Sequence, residues 1–241
     1  MKFYKFEEEL IEGVIVNRPN RFIMEILVNG KKELAHCPVT GKIGRFKFKN
    51  VPCLLSISNN PKRKTNFTVE AISPQSPKSK RKSWIGINQT KSNDYLEFFL
   101  KNNFLPKIYK NNLELKREVR LGNSRIDFKI GGNFLEVKTL VNNIPFGNKE
   151  ESFKPASVDR LIKHFQDLEK FLKKEKGKKA VVLLCNHYRA TPFVPPKNSQ
   201  KTKVGRSVKR ATLNGVENWQ VNLKINKKGV YFLDYFKLKL F

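Results

Sequence analysis

Cysteine is scarce in this chain of 241 residues. The three copies, Cys37, Cys53 and Cys185, are scattered and form no Cys-X-X-Cys pair. This usage indicates a reducing, cytoplasmic setting and does not support a zinc site. Long hydrophobic runs are also missing: the first ten residues contain no apolar segment of a signal peptide, and the most hydrophobic run, residues 180–185, is too short to span a bilayer. We therefore expect a cytoplasmic protein with no membrane partner.

Several catalytic motifs are absent as well. The chain has no Walker sequence, no Gly-X-Gly-X-X-Gly and no Gly-X-Ser-X-Gly, so nucleotide hydrolysis, dinucleotide chemistry and serine hydrolysis have no local support. Acidic residues are few: 49 Lys and Arg stand against 21 Asp and Glu, for a net charge of +28. Such an excess favours a nucleic-acid partner through phosphate neutralisation and counterion release. The alternative is a lysine-rich proteome from an AT-rich genome, in which Lys accumulates without any binding role.

The first part of the chain reads as short strands separated by turn residues. Hydrophobic residues make up 39% of the sequence, enough for a core. The Asn29-Gly30 pair predicts a hairpin, and the strand spacing predicts a small barrel of the oligonucleotide-binding (OB) kind. Two basic loops, residues 61–64 and 77–82, either follow phosphates or are solvated turns. The predicted strands are residues 10–16, 22–28, 33–36, 46–48, 53–57, 67–72 and 84–87.

The pattern changes near residue 90, where helices alternate with strands. A long helix is predicted from Ser157, a plausible N-cap, to Lys176, before a stop at Gly177. The apolar run that follows reads as a strand buried on both faces, as in a parallel or mixed sheet. The fold prediction is therefore α/β (α+β overall): an OB-like domain over residues 1–89, then an αβββαβ core within residues 90–241. Its other predicted elements are a helix at 93–102, strands at 118–121, 127–138 (a hairpin) and 180–185, a helix at 202–213 and a hairpin at 226–229.

The most informative stretch is the hairpin at residues 124–138. Alternation places Ile126, Phe128 and Ile130 on one face of a strand and Arg125, Asp127 and Lys129 on the other. The two-residue loop Gly131-Gly132 predicts a tight turn that fixes the register. In that register Asp127 faces Glu136 and Arg125 faces Lys138.

Two carboxylates directly opposite each other repel, so the arrangement is unfavourable unless a positive charge lies between them. A hard divalent cation is the obvious candidate, because Mg²⁺ takes a couple of carboxylates together with waters and a phosphate oxygen. Lys138, on the same face as Glu136, would orient a water nucleophile or stabilise a developing charge. These residues indicate metal-assisted phosphodiester hydrolysis. The alternative is an exposed hairpin with a charged outer face.

The order and spacing of these residues resemble the sugar fermentation stimulation protein family, SfsA, over nearly the whole chain. That resemblance implies an OB-like domain (1–89) joined to a nuclease domain of the PD-(D/E)xK class (90–241), whose αβββαβ core is restriction-endonuclease-like. It places the first acid at Asp127, the second at Glu136 and the lysine at Lys138. It also implies DNA binding, nuclease activity and a regulatory role in sugar utilisation. The residues that carry it are Asn20-Arg21-Phe22, His36-Cys37-Pro38, Thr40-Gly41, Lys62-Arg63-Lys64, Ile87-Asn88, Asn93, Glu118, Gly122, Ser124-Arg125-Ile126-Asp127-Phe128, Glu136-Val137-Lys138, Arg160, Lys163-His164 and Gly215-Val216-Glu217.

One departure from the family matters for activity. The family has Phe-Pro-Asp-Ala before the long helix, whereas this chain has Phe153-Lys154-Pro155-Ala156. The acid is absent and Lys154 stands near its position. If the acid holds metal or orients the helix in the family, this member is expected to bind nucleic acid without cutting it well.

The remaining site predictions concern the metal and the nucleic acid. Glu118 is either a third carboxylate of the metal site or a surface partner for Arg120. His164 is predicted to contact phosphate together with Arg160 and Lys163, which lie on the same side of the helix. The full set of predicted nucleic-acid contacts is Arg21, Lys62, Arg63, Lys64, Arg125, Arg160, Lys163 and His164.

Three functional hypotheses follow from the sequence. The first is a Mg²⁺- or Mn²⁺-dependent nuclease that acts on DNA in preference to RNA. The second is a DNA-binding regulatory protein on a nuclease scaffold that has lost turnover. The third, which rests on charge alone, is a ribosome-associated or RNA-binding protein. A homodimer is left open, because many nucleases of this fold act as dimers.

Overall fold

The computed structural model describes residues 3–39, 41–44, 47–110, 113–141, 144 and 158–241. Their strands form two sheets, one of seven strands and one of six. No helix among these residues is long and apolar enough to cross a membrane.

The six-stranded sheet forms the barrel. Its order is β4-β3-β2-β5-β6-β7, and a parallel pairing of β4 with β6 closes the five strands β2 to β6 into an OB-like barrel. The predicted hairpin at Asn29-Gly30 joins β3 to β4. The strand predicted at 46–48 is wrong for residues 47 and 48, which are in no strand, and residue 46 lies outside the described part. The strands are β2 (Ile11–Asn17), β3 (Ile23–Val28), β4 (Lys31–His36), β5 (Val51–Ile57), β6 (Phe67–Ile72) and β7 (Ile85–Gly86).

The seven-stranded sheet belongs to the second half of the chain. Its order is β1-β13-β12-β11-β10-β9-β8, with β10, β11 and β12 parallel to one another. The run from α1 to β11 gives the predicted order of helix, three strands, helix and strand. Its elements are α1 (Ser92–Lys101), β8 (Leu115–Leu121), β9 (Ser124–Ile130), β10 (Asn133–Lys138), α2 (Val158–Lys174), β11 (Ala180–Asn186), α3 (Lys203–Leu213), β12 (Glu217–Ile225) and β13 (Gly229–Lys237).

The N-terminal strand β1 (Tyr4–Lys5) also belongs to this sheet. It pairs antiparallel with β13, Tyr4 opposite Val230, so the chain starts at the edge of the second sheet before it enters the barrel. The strand is only two residues long, and the sequence analysis did not predict it.

Helices cover both faces of the seven-stranded sheet. Tyr95 and Phe99 of α1 pack on one face, against the odd-numbered residues of β10 and β11. Phe165 and Leu168 of α2, with Ala211 of α3, pack on the other face. The N-cap predicted at Ser157 lies outside the described residues.

One prediction of alternation on β9 is wrong. Phe128 and Ile130 pack on the α1 face, but Ile126 packs on the α2 face. The alternation of side chains between the two faces of the sheet reverses at Asp127. On the neighbouring strand β8 the alternation reverses at Glu118, whose backbone is left-handed with a φ of 53°. This paired irregularity turns Asp127 out of the regular alternation.

The hairpin of β9 and β10 is anchored in the barrel. Beyond β10, Val141 and Ile144 are buried in the barrel core together with Ile43. The amide of Gly44 donates to the carbonyl oxygen of Val141 at 3.0 Å. The strand that carries Glu136 and Lys138 is therefore held at its far end by the first domain.

Candidate metal and nucleic-acid site

The hairpin register follows the sequence prediction at its closed end. Asn133 pairs with Ile130 and Leu135 with Phe128, on either side of a turn in which both glycines have positive φ. Continued by one step, this register places Asp127 opposite Glu136. The ladder opens at that point, because the amide of Val137 donates to Asp127 Oδ2 at 2.7 Å. The carboxylate of Asp127 therefore takes the place of a backbone acceptor in the fork between the strands.

A second donor fixes the other oxygen of Asp127. Asn93 Nδ2, near the start of α1, donates to Asp127 Oδ1 at 2.8 Å. Burial, followed by the nearby charge of Glu136, raises the pKa of Asp127 from 3.8 to about 6, against the opposing effect of the two hydrogen bonds and of Lys138. The carboxylate repulsion expected from the sequence is present. Sequence reasoning did not assign Asn93 to the site, although its position in the family pattern was a usable signal.

Glu136 is the most deeply buried residue of the site, at 1% exposure. Its Oε1 accepts a hydrogen bond from Lys138 Nζ and contacts His164 Nδ1. Burial alone would raise the pKa of Glu136, but the contacts with His164 and Lys138 outweigh it, so the pKa is lowered. Its other oxygen, Oε2, is buried and accepts no hydrogen bond within the described part of the chain.

The carboxylate oxygens of Asp127 and Glu136 suit a hard divalent cation. An orphaned, buried carboxylate oxygen is costly unless it gains a partner, and a cation supplies one. Among the described residues no group of three His, Cys, Asp or Glu side chains is arranged to hold a metal ion. Two carboxylates are nevertheless the protein contribution that Mg²⁺ commonly uses, since waters and substrate phosphates complete its coordination.

Cationic side chains lie beside the carboxylate pair. Lys138 Nζ is 3.4 Å from His164 Nδ1, and Arg160 Nε is 3.5 Å from His164 Nε2. His164 itself is only 3% exposed, so it lies inside the site against Glu136 instead of on the outer surface of α2. Lys163, one residue earlier, is exposed. Of the predicted residues, the structure thus brings together Asp127, Glu136, Lys138, Arg160 and His164.

Glu118 and Arg125 form a separate ion pair. Glu118 lies between residues that pair with Phe128 and Ile126, hence beside Asp127 in the register. Its Oε2 is 2.6 Å from Arg125 Nε, and both side chains are largely exposed. The partner of Glu118 in the structure is therefore Arg125, where the sequence analysis had offered the metal or Arg120.

The remaining predicted contacts lie on two loops of the barrel. Arg21 is in the loop between β2 and β3, with its guanidinium 4.7 Å from the ring centre of Phe22. Lys62, Arg63 and Lys64 are in the loop between β5 and β6, where Arg63 Nη2 donates to Thr68 Oγ1 at 3.0 Å. These two loops are the ones that OB folds use for ligands.

An OB-like barrel is followed by a restriction-endonuclease-like sheet, whose β9–β10 hairpin carries Asp127, Glu136 and Lys138. This is the class of fold that the sequence predicted. Comparison with known families gives the particular member. The model described as SfsA N-terminal OB domain matches residues 16–87, and that described as Sugar fermentation stimulation protein RE domain matches residues 90–229. The chain belongs to the sugar fermentation stimulation protein family, which confirms the resemblance seen in the sequence.

Similar proteins extend over almost the full length. A sugar fermentation stimulation protein homolog of Microcystis aeruginosa is 30% identical, over 96% of this chain and 95% of the relative. One of Pseudoalteromonas atlantica is 31% identical, over 95% and 96%. Among solved structures, SfsA of Pyrococcus furiosus in complex with Ca²⁺ has a TM-score of 0.76 and 20% identity, and the match covers 100% of this chain and 99% of that one. At this identity the likeness shows the fold.

Proposed function

We propose that this protein is a divalent-cation-dependent nuclease that hydrolyses phosphodiester bonds of nucleic acid, DNA in preference to RNA. The observation that carries the proposal is the pair of Asp127, partly buried, and Glu136, buried, next to Lys138; one oxygen of Glu136 has no hydrogen-bond partner among the described residues. A fold needs no such pair for stability, because buried and mutually repelling carboxylates destabilise it. The destabilising repulsion between the two carboxylates is offset when a cation lies between them.

The cation supported by these donors is a hard one, Mg²⁺ or Mn²⁺. Carboxylate oxygens suit such ions, and the related protein of Pyrococcus furiosus was solved in complex with Ca²⁺, which uses the same ligand type. When bound, the cation would neutralise phosphate charge and polarise the scissile group for attack by water. Asp127 and Glu136 are the residues that would hold it.

The protein side chains supply orientation and charge. Asn93 and the amide of Val137 fix the two oxygens of Asp127, so its carboxylate is preorganised. Lys138 places an ammonium against Glu136, where it can orient a water or stabilise charge that develops on the phosphate. In the reaction, water adds to phosphorus and one P–O ester bond breaks, leaving a phosphate monoester and a hydroxyl.

The charge of the chain supports a polyanionic substrate. A net charge of +28 is large for 241 residues, and counterion release would make binding strongly dependent on salt. Arg160 and Lys163 extend the positive charge along α2 next to the site. The alternative hypothesis, binding without turnover, was motivated by Lys154, which lies outside the described residues.

Cleavage assays separate the two hypotheses. Wild-type protein and the variants Asp127→Ala and Asp159→Ala would be incubated with labelled single-stranded DNA, duplex DNA and RNA, with Mg²⁺, with Mn²⁺ and with chelator. Asp159 is the matched control, since its side chain is 83% exposed on the surface of α2. We expect metal-dependent cleavage by wild type and control that is lost in Asp127→Ala while binding persists. Binding without cleavage by all three proteins would establish the non-catalytic alternative.

A further inference from the structure

A groove runs between the barrel and the start of the second domain. Its volume is about 880 Å³. The barrel contributes the ends of β3 and β4, through Ile23 and His36, and the basic loop between β5 and β6. The second domain contributes the turn that precedes α1, and the segment between β1 and β2 completes the lining. The groove therefore lies on the barrel face and loop where OB folds bind their ligands.

The lining carries two kinds of group that bind unpaired nucleotides. Arg63 and Lys64 from the basic loop, with Lys91 from the turn before α1, provide cations for phosphates. Tyr4 and Phe6 are partly buried rings that pack with Tyr95, which leaves part of each available for a base. Aromatic rings combined with a cationic groove are the usual means of binding single strands.

Acidic residues line the same groove. Glu7, Glu8 and Glu9 are exposed on the segment between β1 and β2 and belong to its lining. This segment is fixed in place, because the amides of Phe6 and Leu10 donate to the carbonyls of Lys228 and Lys227 at 3.1 and 2.8 Å. A single strand can place its phosphates on the cations and its bases toward the carboxylates. A duplex has a backbone on both edges and would bring one of them against the carboxylates.

The groove lining is adjacent, along the chain, to a residue that contacts the carboxylate pair. Lys91 lines the groove, and Asn93, two residues later, donates to Asp127. Lys91 is itself half exposed, with Asp94 at 3.4 Å as its ion-pair partner, a contact that a phosphate can replace at low cost. A strand lying in the groove and crossing Lys91 therefore arrives beside Asp127.

We infer that this groove binds a single-stranded segment of nucleic acid and leads it to the hairpin of Asp127 and Glu136, so that the substrate is single-stranded or carries an unpaired end. This inference rests on the proposed nuclease function and specifies its substrate class. The groove has the volume of a cleft for small ligands, about 300–1,000 Å³, which suits a few unstacked nucleotides.

Binding measured with chelator present tests the inference without cleavage. Fluorescence anisotropy would follow a labelled single strand and its duplex at several salt concentrations, with wild type, Lys64→Ala/Lys91→Ala and the control Lys170→Ala/Lys176→Ala. Both variants lose the same charge, but Lys170 and Lys176 are exposed on or just after α2 and do not line the groove. For the single strand we expect the groove variant to bind about tenfold more weakly than wild type at low salt. The slope of log K against log salt concentration should become shallower by about 1.4, and the control variant should behave as wild type does.

A third variant tests the role of the acidic lining. Replacing Glu7, Glu8 and Glu9 together by Gln should strengthen duplex binding more than single-strand binding, so that the preference for the single strand falls. Tighter binding of the duplex by wild type, or equal losses in the groove variant and its control, would overturn the inference. Cleavage assays on the same proteins keep the two proposals apart. Absence of cleavage with this binding pattern would refute the nuclease alone, and cleavage with unaltered binding by Lys64→Ala/Lys91→Ala would refute the groove alone.

Discussion

Removing the negative charge of Asp127 should stabilise the metal-free protein. Burial and Glu136 raise the pKa of this carboxyl from 3.8 to about 6. A carboxyl with a raised pKa binds its proton more tightly in the folded state than in the unfolded state. The folded protein therefore loses stability as the pH rises from the unfolded-state pKa of 3.8 to the folded-state pKa of about 6. The difference of about two pKa units corresponds to about 3 kcal/mol at neutral pH, as an order of magnitude. Asn is nearly isosteric: its Oδ1 can accept from Val137, and its Nδ2 can donate to Asn93 once the Asn93 side-chain amide turns over.

Urea denaturation of wild type, Asp127→Asn and Asp159→Asn, with chelator present, measures this effect. Near neutral pH the free energy of unfolding of Asp127→Asn should exceed that of wild type by up to about 3 kcal/mol, and the gain should shrink toward pH 4, where wild-type Asp127 is protonated. Asp159→Asn should unfold as wild type does. Addition of Mn²⁺ should stabilise wild type and not Asp127→Asn. A less stable Asp127→Asn at neutral pH, or a gain independent of pH, would refute the reasoning.

Three further changes have distinct expected outcomes. Asn93→Ala removes the 2.8 Å hydrogen bond to Asp127 and so raises the pKa of Asp127 further. Mn²⁺ binding measured by calorimetry should therefore weaken at neutral pH and recover at higher pH. A pH profile of Mn²⁺ binding equal to that of wild type would contradict this. Lys138→Ala should lower the cleavage rate at least tenfold while Mn²⁺ still binds, because the lysine acts on water or phosphate; equal loss of metal affinity would argue for a role in holding the cation. Ile144→Ala opens a cavity in the barrel core, where Ile144 is 5% exposed, and should lower the free energy of unfolding in chemical denaturation by about 2–5 kcal/mol. A smaller loss would show that the segment after β10 is not anchored in the barrel.

The sequence was sufficient where local patterns determine structure. Period-two alternation identified most strands, and Gly131-Gly132 gave a turn whose register the structure confirms at its closed end. The long helix α2 was also predicted, and its Phe165 and Leu168 are buried. These features depend on neighbours in the chain, so a single sequence contains the information they need.

The sequence was insufficient where distant residues act on each other. The reversal of alternation at Asp127 coincides with a left-handed residue on another strand, Glu118, and nothing local to Asp127 announces it. The burial of His164 against Glu136 depends on how α2 crosses the sheet. The short β1 gains its partner, β13, from the opposite end of the chain, which no local pattern could reveal.

The most direct test of the central claim is a calorimetric titration of wild type and Glu136→Gln with Mn²⁺ near neutral pH. If Asp127 and Glu136 form a cation site, wild type binds one Mn²⁺ per chain and the variant, which keeps the size of the side chain and loses its charge, does not. Absence of binding to wild type, or equal binding to the variant, would contradict the assignment of this carboxylate pair as a metal site.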